Sequence, residues 1–450
     1  MKIEIQLPDK VKYIIDTIME AGWEAYAVGG CVRDFILGRE ADDWDITTSA
    51  SPCQVKELFR HTIDTGIAHG TVTVMLGGEG FEVTTYRVDG RYEDGRHPES
   101  VTFTASLKED LKRRDFTINA MAYNERTGLV DEFGGLEDIE KKVIRCVGEA
   151  RERFTEDALR MMRAVRFSAQ LGYEIEENTS AAIKELAQRL RLVSAERIQV
   201  ELVKLAVSPH PEKLRTAWET GITGIIMPEF DECMETEQRN PHHRYSVGEH
   251  ILKSMQEIRP EKTLRLAMLF HDMGKPKTLT VSSEGVYHFH GHQEVSGEIA
   301  RGILRRLKFD NYTIQTVTRL VRYHDCDILP GQKYVRRAVR KAGEDIFPLL
   351  IEVKYADMKA QSDYMREEKE ERLKLVQAAY ERILTEGHCL SLKNLAVTGK
   401  DLIDEAAMEP GPALGEMLGK LLDIVIENPE LNRKETLLAI VTEESGNKDG

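Results

Sequence analysis

Gly29-Gly30-Cys31-Val32-Arg33-Asp34, followed closely by Asp43-Trp44-Asp45, decides the reading of the N-terminal part of this chain. The run Ala25-Tyr26-Ala27-Val28 leads into the glycines as a short strand, and residues 11–21 before it carry apolar side chains at helical spacing. Two consecutive glycines, Gly29 and Gly30, let main-chain N–H groups approach phosphate oxygens without a Cβ in the way. Arg33 adds a forked donor suited to phosphate. Asp43 and Asp45 stand two apart, so in a strand they project from one face and can share divalent ions. Carboxylates of this kind hold the Mg²⁺ ions of two-metal chemistry, in which a 3′-hydroxyl is activated and a departing pyrophosphate is neutralised. Each part alone has an ordinary meaning, a turn for Gly-Gly and a solvated face for Asp-x-Asp, and it is their proximity that points to chemistry. Glu82, in the strand-like Phe81-Glu82-Val83-Thr84-Thr85, is a candidate third carboxylate and equally an edge-strand charge.

Outward from this core, the segments around Trp44–Thr47, Thr71–Leu76 and Phe81–Tyr86 alternate or are β-branched, with glycine turns between them, which predicts a small mixed sheet. Strand signals end near Gly148, and helical periodicity takes over from about Thr155. Between these lies Arg113-Arg114-Asp115-Phe116-Thr117-Ile118-Asn119-Ala120, whose mixture of polar and apolar residues fits neither a plain helix nor a plain strand. Its polar members, Arg114, Asp115 and Asn119, want a ligand. The segment Glu156-Asp157-Ala158-Leu159-Arg160 continues through Arg163 and Arg166 on an expected helix. Asp157 can accept from the exocyclic amine of C or A while Arg160 donates to the ring nitrogen beside it, a pattern U and G lack. The same helix reads equally as a salt-bridged surface.

In combination and order these residues resemble the class II tRNA nucleotidyltransferases and the related bacterial poly(A) polymerases, over about residues 20–205. GGCVRD with DDWD resembles the family's metal-binding motif, RRDFTINA its ribose-recognition motif and EDALR its base-templating motif, while Ser194-Ala195-Glu196-Arg197-Ile198 fits the neck. The resemblance implies an α+β, polymerase-beta-like head followed by all-α neck, body and tail regions. It implies Mg²⁺ on Asp43 and Asp45, with Glu82 as a further catalytic candidate. It also implies nucleotide contacts from Gly29, Gly30, Arg33, Arg114, Asp115, Asn119, Glu156, Asp157, Arg160, Arg163 and Arg166. The implied partners are tRNA, CTP and ATP. The segment Arg87–Ser106, with Asp94-Gly95-Arg96, resembles the flexible loop that CCA-adding members use in switching from C to A.

A second constellation runs through His250, the pair His271-Asp272, His292, His324 and Asp357. A His-Asp pair ending an apolar helix, with further His and Asp on later helices, supplies nitrogen and oxygen ligands for one or two transition-type metals. The order resembles the HD phosphohydrolase superfamily. That resemblance implies metal-activated water attacking a phosphodiester, such as a 2′,3′-cyclic phosphate at a damaged RNA end, although the same fold can be kept as a scaffold. His288 and His290 read as spectators beside the cluster, Asp325 competes with His324 for one ligand position, and Lys275 could hold a substrate phosphate. Residues 390–440 resemble, more loosely, the RNA-holding helices of CCA-adding enzymes, with Glu405-Ala406-Ala407 near the place where relatives carry a glycine.

At 450 residues the chain exceeds what one core organises, and the expected regions are a head at 1–148, neck and body at 149–240, an HD region at 241–384 and a helical tail at 385–450. A net charge of −15 argues against indiscriminate coating of nucleic acid, since a negative field repels phosphate, but basic clusters such as Lys112-Arg113-Arg114 can still bind RNA. No apolar run approaches the roughly 20 residues of a membrane helix, and the N-terminus lacks the apolar region of a signal peptide. The six cysteines are scattered without a CxxC pair, which fits a reducing cytoplasm. Two alternatives share these motifs: a poly(A) polymerase or A-adding enzyme, and an HD phosphohydrolase whose N-terminal domain binds RNA.

Overall fold

The computed structural model describes residues 4–41, 43–90 and 101–446. The chain divides into two compact units, Met1–Pro228 and Glu229–Gly450.

The first unit opens with helix α1 (Asp9–Glu20), whose Val11, Ile14, Ile15 and Ile18 recur at helical spacing and are buried. Its sheet holds seven strands in the order β3 (Thr62–Gly66), β4 (Thr71–Leu76), β5 (Glu79–Thr85), β2 (Ile46–Thr48), β1 (Ala25–Val28), β8 (Met121–Asn124) and β9 (Gly128–Asp131). Only β2 with β5 is parallel; the other neighbours are antiparallel. The central strands β1, β2 and β8 are buried along their whole length, so the sheet is covered on both faces there. A separate ribbon pairs β6 (Arg87–Asp89) with β7 (Val101–Phe103). The Asp94-Gly95-Arg96 part of the loop expected between Arg87 and Ser106 lies outside the described residues.

Short helices α2 (Gly30–Ile36), α3 (Pro52–Leu58), α4 (Leu107–Lys112) and α5 (Gly135–Lys141) connect the strands. Helices α6 (Ala150–Glu156), α7 (Leu159–Leu171), α8 (Glu177–Leu186) and α9 (Ala195–Ala206) follow. Ten of the thirteen residues of α7 are buried, which makes it the spine of this helical part.

The second unit is predominantly helical. Helix Lys262–Phe270 is buried on nearly every side, as expected of its apolar sequence. Around it stand Val247–Gln256, His292–Arg306, Asn311–Tyr323 and Phe347–Ala360, with Ser246 and Asp310 accepting from backbone N–H groups as helix caps. The expectation of an all-α C-terminal part needs one correction: a two-stranded ribbon pairs Thr280–Val281 with Tyr287–His288. Farther along, Ala407 ends helix Gly399–Ala406 in the left-handed region at φ +53°, with its N–H on Leu402 O. The glycine-type turn is thus present, carried by an alanine. No helix among the described residues is long and apolar enough to cross a membrane.

Candidate active site and candidate metal centre

The glycines of the first motif link β1 to α2. Gly29 takes φ +85°, a conformation that favours glycine, and its N–H is held by Met121 O on β8 at 3.1 Å. A Cβ there would lie 2.9 Å from Arg114 Nη1, so the guanidinium of Arg114 stands against the turn. Asp43 and Asp45 precede β2 and do not lie within it, which corrects the expected Trp44–Thr47 strand. Pairing with β5 begins only at Ile46↔Val83, so the two aspartates form the approach to the ladder; Asp45 O accepts from Val28 N at 3.0 Å. Both are exposed. Desolvation raises the pKa of Asp45, Arg114 opposes that rise and Asp43 adds to it, the electrostatics of paired carboxylates suited to a cation. The β2–β5 register, extended by one residue, sets Glu82 alongside Asp45.

From Arg33 a buried network of charges runs through the site. Arg33 Nη1 donates to Asn119 Oδ1 at 2.6 Å, and its other nitrogens donate to Asp34. Asn119 Nδ2 donates to Asp115 Oδ1 at 3.1 Å, and Arg163 donates to Asp115 Oδ2 at 2.7 Å. Burial alone would raise the pKa of Asp115, but Arg163, Asn119 and Arg160 outweigh it and hold the carboxyl well below its usual range. Arg166 pairs with buried Glu201 at 2.6 Å, and desolvation brings its pKa down to about 10 against the pull of Glu201. The guanidinium groups of Arg33, Arg163 and Arg166 surround the Phe167 ring at 5.0, 5.4 and 3.8 Å.

The helix expected to run unbroken through Glu156, Asp157, Arg160, Arg163 and Arg166 is broken at Asp157. This residue ends α6 in extended conformation, φ −141° and ψ 104°, and α7 begins two residues later. The break has a local cause: Asp157 Oδ1 accepts from Leu159 N at 3.0 Å, capping α7 as an Asx residue. Arg197 of α9 then grips both carboxylate oxygens, at 2.7 and 3.3 Å. Arg160 donates to Glu156 Oε2 at 2.7 Å and to Arg113 O at 3.1 Å, which ties this joint to the segment carrying Arg114, Asp115 and Asn119. Three residues of this site escaped the sequence reading as site residues: Arg197 entered only as part of the neck segment Ser194–Ile198, and Asp110 and Glu201 not at all. Asp110 is fully buried, binding Thr47 Oγ1 at 3.1 Å, Arg87 N at 3.3 Å and Arg113 at 2.9 Å. The available signal was a carboxylate at an inward helical position, which is rare without a partner.

In the second unit the six residues of the other constellation meet. His250 Nε2 lies 3.2 Å from His271 Nε2 and 2.9 Å from Asp357 Oδ1; His292 Nε2 lies 3.3 Å from His324 Nε2. Asp272 bridges the two halves, with Oδ2 at 3.4 Å from His250 and 3.3 Å from His271, and Oδ1 at 3.2 Å from His292 and 3.6 Å from His324. Nδ1 of His271, His292 and His324 sits at 2.6–2.8 Å from a carbonyl three residues earlier in each case. That bond fixes the tautomer and turns the Nε2 lone pair inward, the arrangement of metal-ligating histidine. Two three-residue groups with metal-ligand spacing result, sharing Asp272: His250, His271 and Asp272, and Asp272, His292 and His324. The donor set fits transition-type metal. Burial opposes ionisation of Asp272, but His271 and Lys275 outweigh it, and the carboxyl is held well below its usual range. Lys275 Nζ lies 2.7 Å from Asp272 and donates to Gln238 at 2.8 Å.

His324 and not Asp325 stands in the cluster; Asp325 lines the cleft above it. That cavity, about 360 Å³, also has His288 and His290 on its wall, their rings stacked 5.5 Å apart. They line the cleft and stand outside the metal-ligand groups. His243, which the sequence reading passed over, lies edge-on to His250 at 5.2 Å and borders both this cavity and a neighbouring one of about 430 Å³. Lys354 donates to His324 O and Cys326 O at 2.7 and 2.6 Å, closing the helix end that presents His324.

Comparison with known proteins places these sites in context. The Poly A polymerase head domain family matches residues 25–145, the RNA- and SrmB-binding site of polymerase A matches 172–234, and tRNA nucleotidyltransferase domain 2 matches 278–441. The chain is 37% identical over 438 residues to the CCA-adding enzyme of Lactiplantibacillus plantarum, covering 96% of both chains. It is 35% identical over 446 residues to that of Leuconostoc mesenteroides, covering 97% of both. A solved structure of the Bacillus stearothermophilus CCA-adding enzyme in complex with CTP superposes with a TM-score of 0.72 at 31% identity, covering 99% of both chains.

Proposed function

This chain belongs to the CCA-adding enzyme family, and from that premise we propose that it adds CCA to the 3′ end of tRNA from CTP and ATP without a nucleic-acid template. The observation that carries the reading is the joint at Asp157: an acceptor fixed by Arg197 and a donor, Arg160, fixed by Glu156. A base-reading pair must be rigid, because discrimination depends on leaving the wrong base with unmatched donors and acceptors. Here the rigidity is built from protein charges, and the protein itself takes the template's place.

The other residues divide the nucleotide among themselves. Gly29, Gly30, Arg33 and Arg114 receive the triphosphate, and Asp115 and Asn119 face the ribose. Arg163 and Arg166 reach the nucleotide from α7, with Asp115 and Glu201 fixing their guanidinium groups. Asp43 and Asp45, with Glu82 alongside, would hold Mg²⁺, which when bound would supply neutralising charge for the triphosphate and lower the pKa of the primer hydroxyl. The division into head (1–148), neck and body (149–240), HD region (241–384) and tail (385–450), and a cytoplasmic location, belong to the same reading.

A specific observation favours a second activity. Four inward Nε2 atoms around the bridging Asp272 have metal-ligand spacing beside a cleft, which supports an HD-type phosphohydrolase acting on RNA 3′ ends. Bound metal supplies the activation of water; His271, His292 and His324 hold their inward orientation through carbonyl bonds, and Lys275 offers a cation to phosphate.

Three labelled tRNAs, ending before CCA, at C and at CC, incubated with CTP, ATP or both, test the leading reading. Stepwise completion that halts at CCA supports it. Addition of A alone, or of long A tails, moves the chain to an A-adding or poly(A) role, and no addition leaves the second unit as the principal activity. Release of phosphate from a 2′,3′-cyclic or 3′-phosphorylated RNA end, lost in His271→Ala, tests the second reading.

A further inference from the structure

Helices His292–Arg306 and Asn311–Tyr323 follow one another, and between them lies a groove of about 390 Å³ that takes no part in either site described above. Arg301 and Arg305 line it from the first helix, Arg319 and Arg322 from the second; the remaining lining residues are neutral, and no carboxylate is among them. In a chain of net charge −15 this is a local inversion of sign.

The four arginines differ in how far internal pairs engage them. Arg305 has no ion-pair partner among the described residues, and Arg301 has only Glu298, one turn away on the surface at 3.5 Å. Arg319 and Arg322 are anchored, to Asp345 and to Glu294 and Glu298, which holds their forks in place. On the wall of the groove, Thr318 is 2% exposed and its Oγ1 makes no hydrogen bond among the described residues. A helical threonine ordinarily turns its hydroxyl onto a carbonyl of the preceding turn, so a buried one left without a partner is a donor waiting for an acceptor. Arg301 lies nine residues beyond the metal-cluster residue His292, about 13 Å along the helix axis. On the second helix Arg322 stands two residues before His324, yet no residue lines both the groove and the metal cleft.

We infer that this groove is a binding site for the phosphodiester backbone of RNA, and that it anchors the tRNA which the proposed function takes as substrate. The inference rests on that reading for the identity of the RNA. Forked guanidinium groups and a hydroxyl match phosphate oxygens and carry no base-edge pattern, so the contact is independent of sequence and grips the RNA away from its reacting end.

The test is titration of the full chain with labelled tRNA ending before CCA, without nucleotide, at 50 and 200 mM salt. The doubly substituted Arg301→Ala, Arg305→Ala chain is compared with an equal change of charge elsewhere in the unit, Lys253→Ala, Lys374→Ala. Losing two phosphate contacts flattens the salt dependence, so the affinity deficit of the arginine variant shrinks by about tenfold between the two salts while the lysine variant stays within twofold of the parent. Thr318→Val, which removes an unpartnered hydroxyl, weakens tRNA binding without lowering the melting temperature. In nucleotide addition the arginine variant raises KM for tRNA and leaves kcat unchanged. An arginine variant that binds within twofold of the parent at both salts, or a lysine variant that loses as much, overturns the inference. Failure of the unsubstituted chain to bind tRNA overturns instead the reading on which it rests.

Discussion

In the first unit the buried carboxylates of the site are met by guanidinium groups; in the second they are met by imidazoles. Asp110, Asp115 and Glu201 each face arginine, a side chain that stays charged at every physiological pH, so their charges are balanced within the protein. Asp43 and Asp45 make none of these pairs; both are exposed, and Asp43 adds to the rise in the pKa of Asp45. Asp272 and Asp357 instead sit among four inward-facing Nε2 atoms, with Lys275 as the cation on Asp272. Nitrogen lone pairs gathered with carboxylates in a buried place have the capacity to ligate a divalent metal. The first arrangement is a balance of fixed charges; the second is a set of donors with metal-ligand spacing.

The sharpest separation of the two comes from removing the exposed pair. Asp43→Ala with Asp45→Ala lowers nucleotide addition by about 10³-fold, the scale of losing several kcal/mol of charge stabilisation. Metal bound in the second unit and the melting temperature stay unchanged. Conversely, His271→Ala cuts the metal content of the purified protein by at least about tenfold, measured by elemental analysis, while CCA addition stays within twofold of the parent.

Breaking the arginine network should cost stability and not metal. Asp115→Asn leaves Arg163 without its closest counter-ion and destabilises the first unit by about 3 kcal/mol at neutral pH. The sign with pH follows from Asp115's depressed folded-state value. Its stabilisation is complete above the ordinary carboxylate pKa near 4 and is lost as the pH falls towards the lower folded value. The gap between parent and variant in chemical denaturation therefore narrows below about pH 4. Arg197→Gln frees the carboxylate of Asp157 and weakens discrimination of CTP and ATP against UTP and GTP by about 10- to 100-fold, with Arg197→Lys recovering part of it. The smallest effect lies outside both sites: Ala407→Gly relieves a left-handed alanine and stabilises the protein by about 1 kcal/mol without altering addition.

What the sequence discloses follows from what each residue needs in order to act. Gly29 and the Asp43, Asp45 pair are legible because their roles are local: a positive φ, and two carboxylates two residues apart. The histidines of the second unit are legible in order because three of them stand at helix ends, where the 3.6-residue pattern starts or stops. The break at Asp157 is hidden, since Arg160, Arg163 and Arg166 recur at helical spacing up to it, and nothing in that spacing shows that the Asp157 carboxylate turns back onto Leu159 N and is then held by Arg197 of another helix. Asp110 and Glu201 look like ordinary helical charges, because their burial is decided by arginines that the fold brings to them. His243, His288 and His290 belong to a cleft whose walls come from separate segments, a property no local spacing encodes.

One reaction reaches the central claim most directly: the chain, Mg²⁺, a tRNA lacking CCA and all four nucleoside triphosphates together, with every product 3′ end sequenced. The account predicts ends that read CCA and stop, with U and G absent. Extended A tails, or C and U incorporated alike, would contradict the claim that Asp157 and Arg160 read the incoming base.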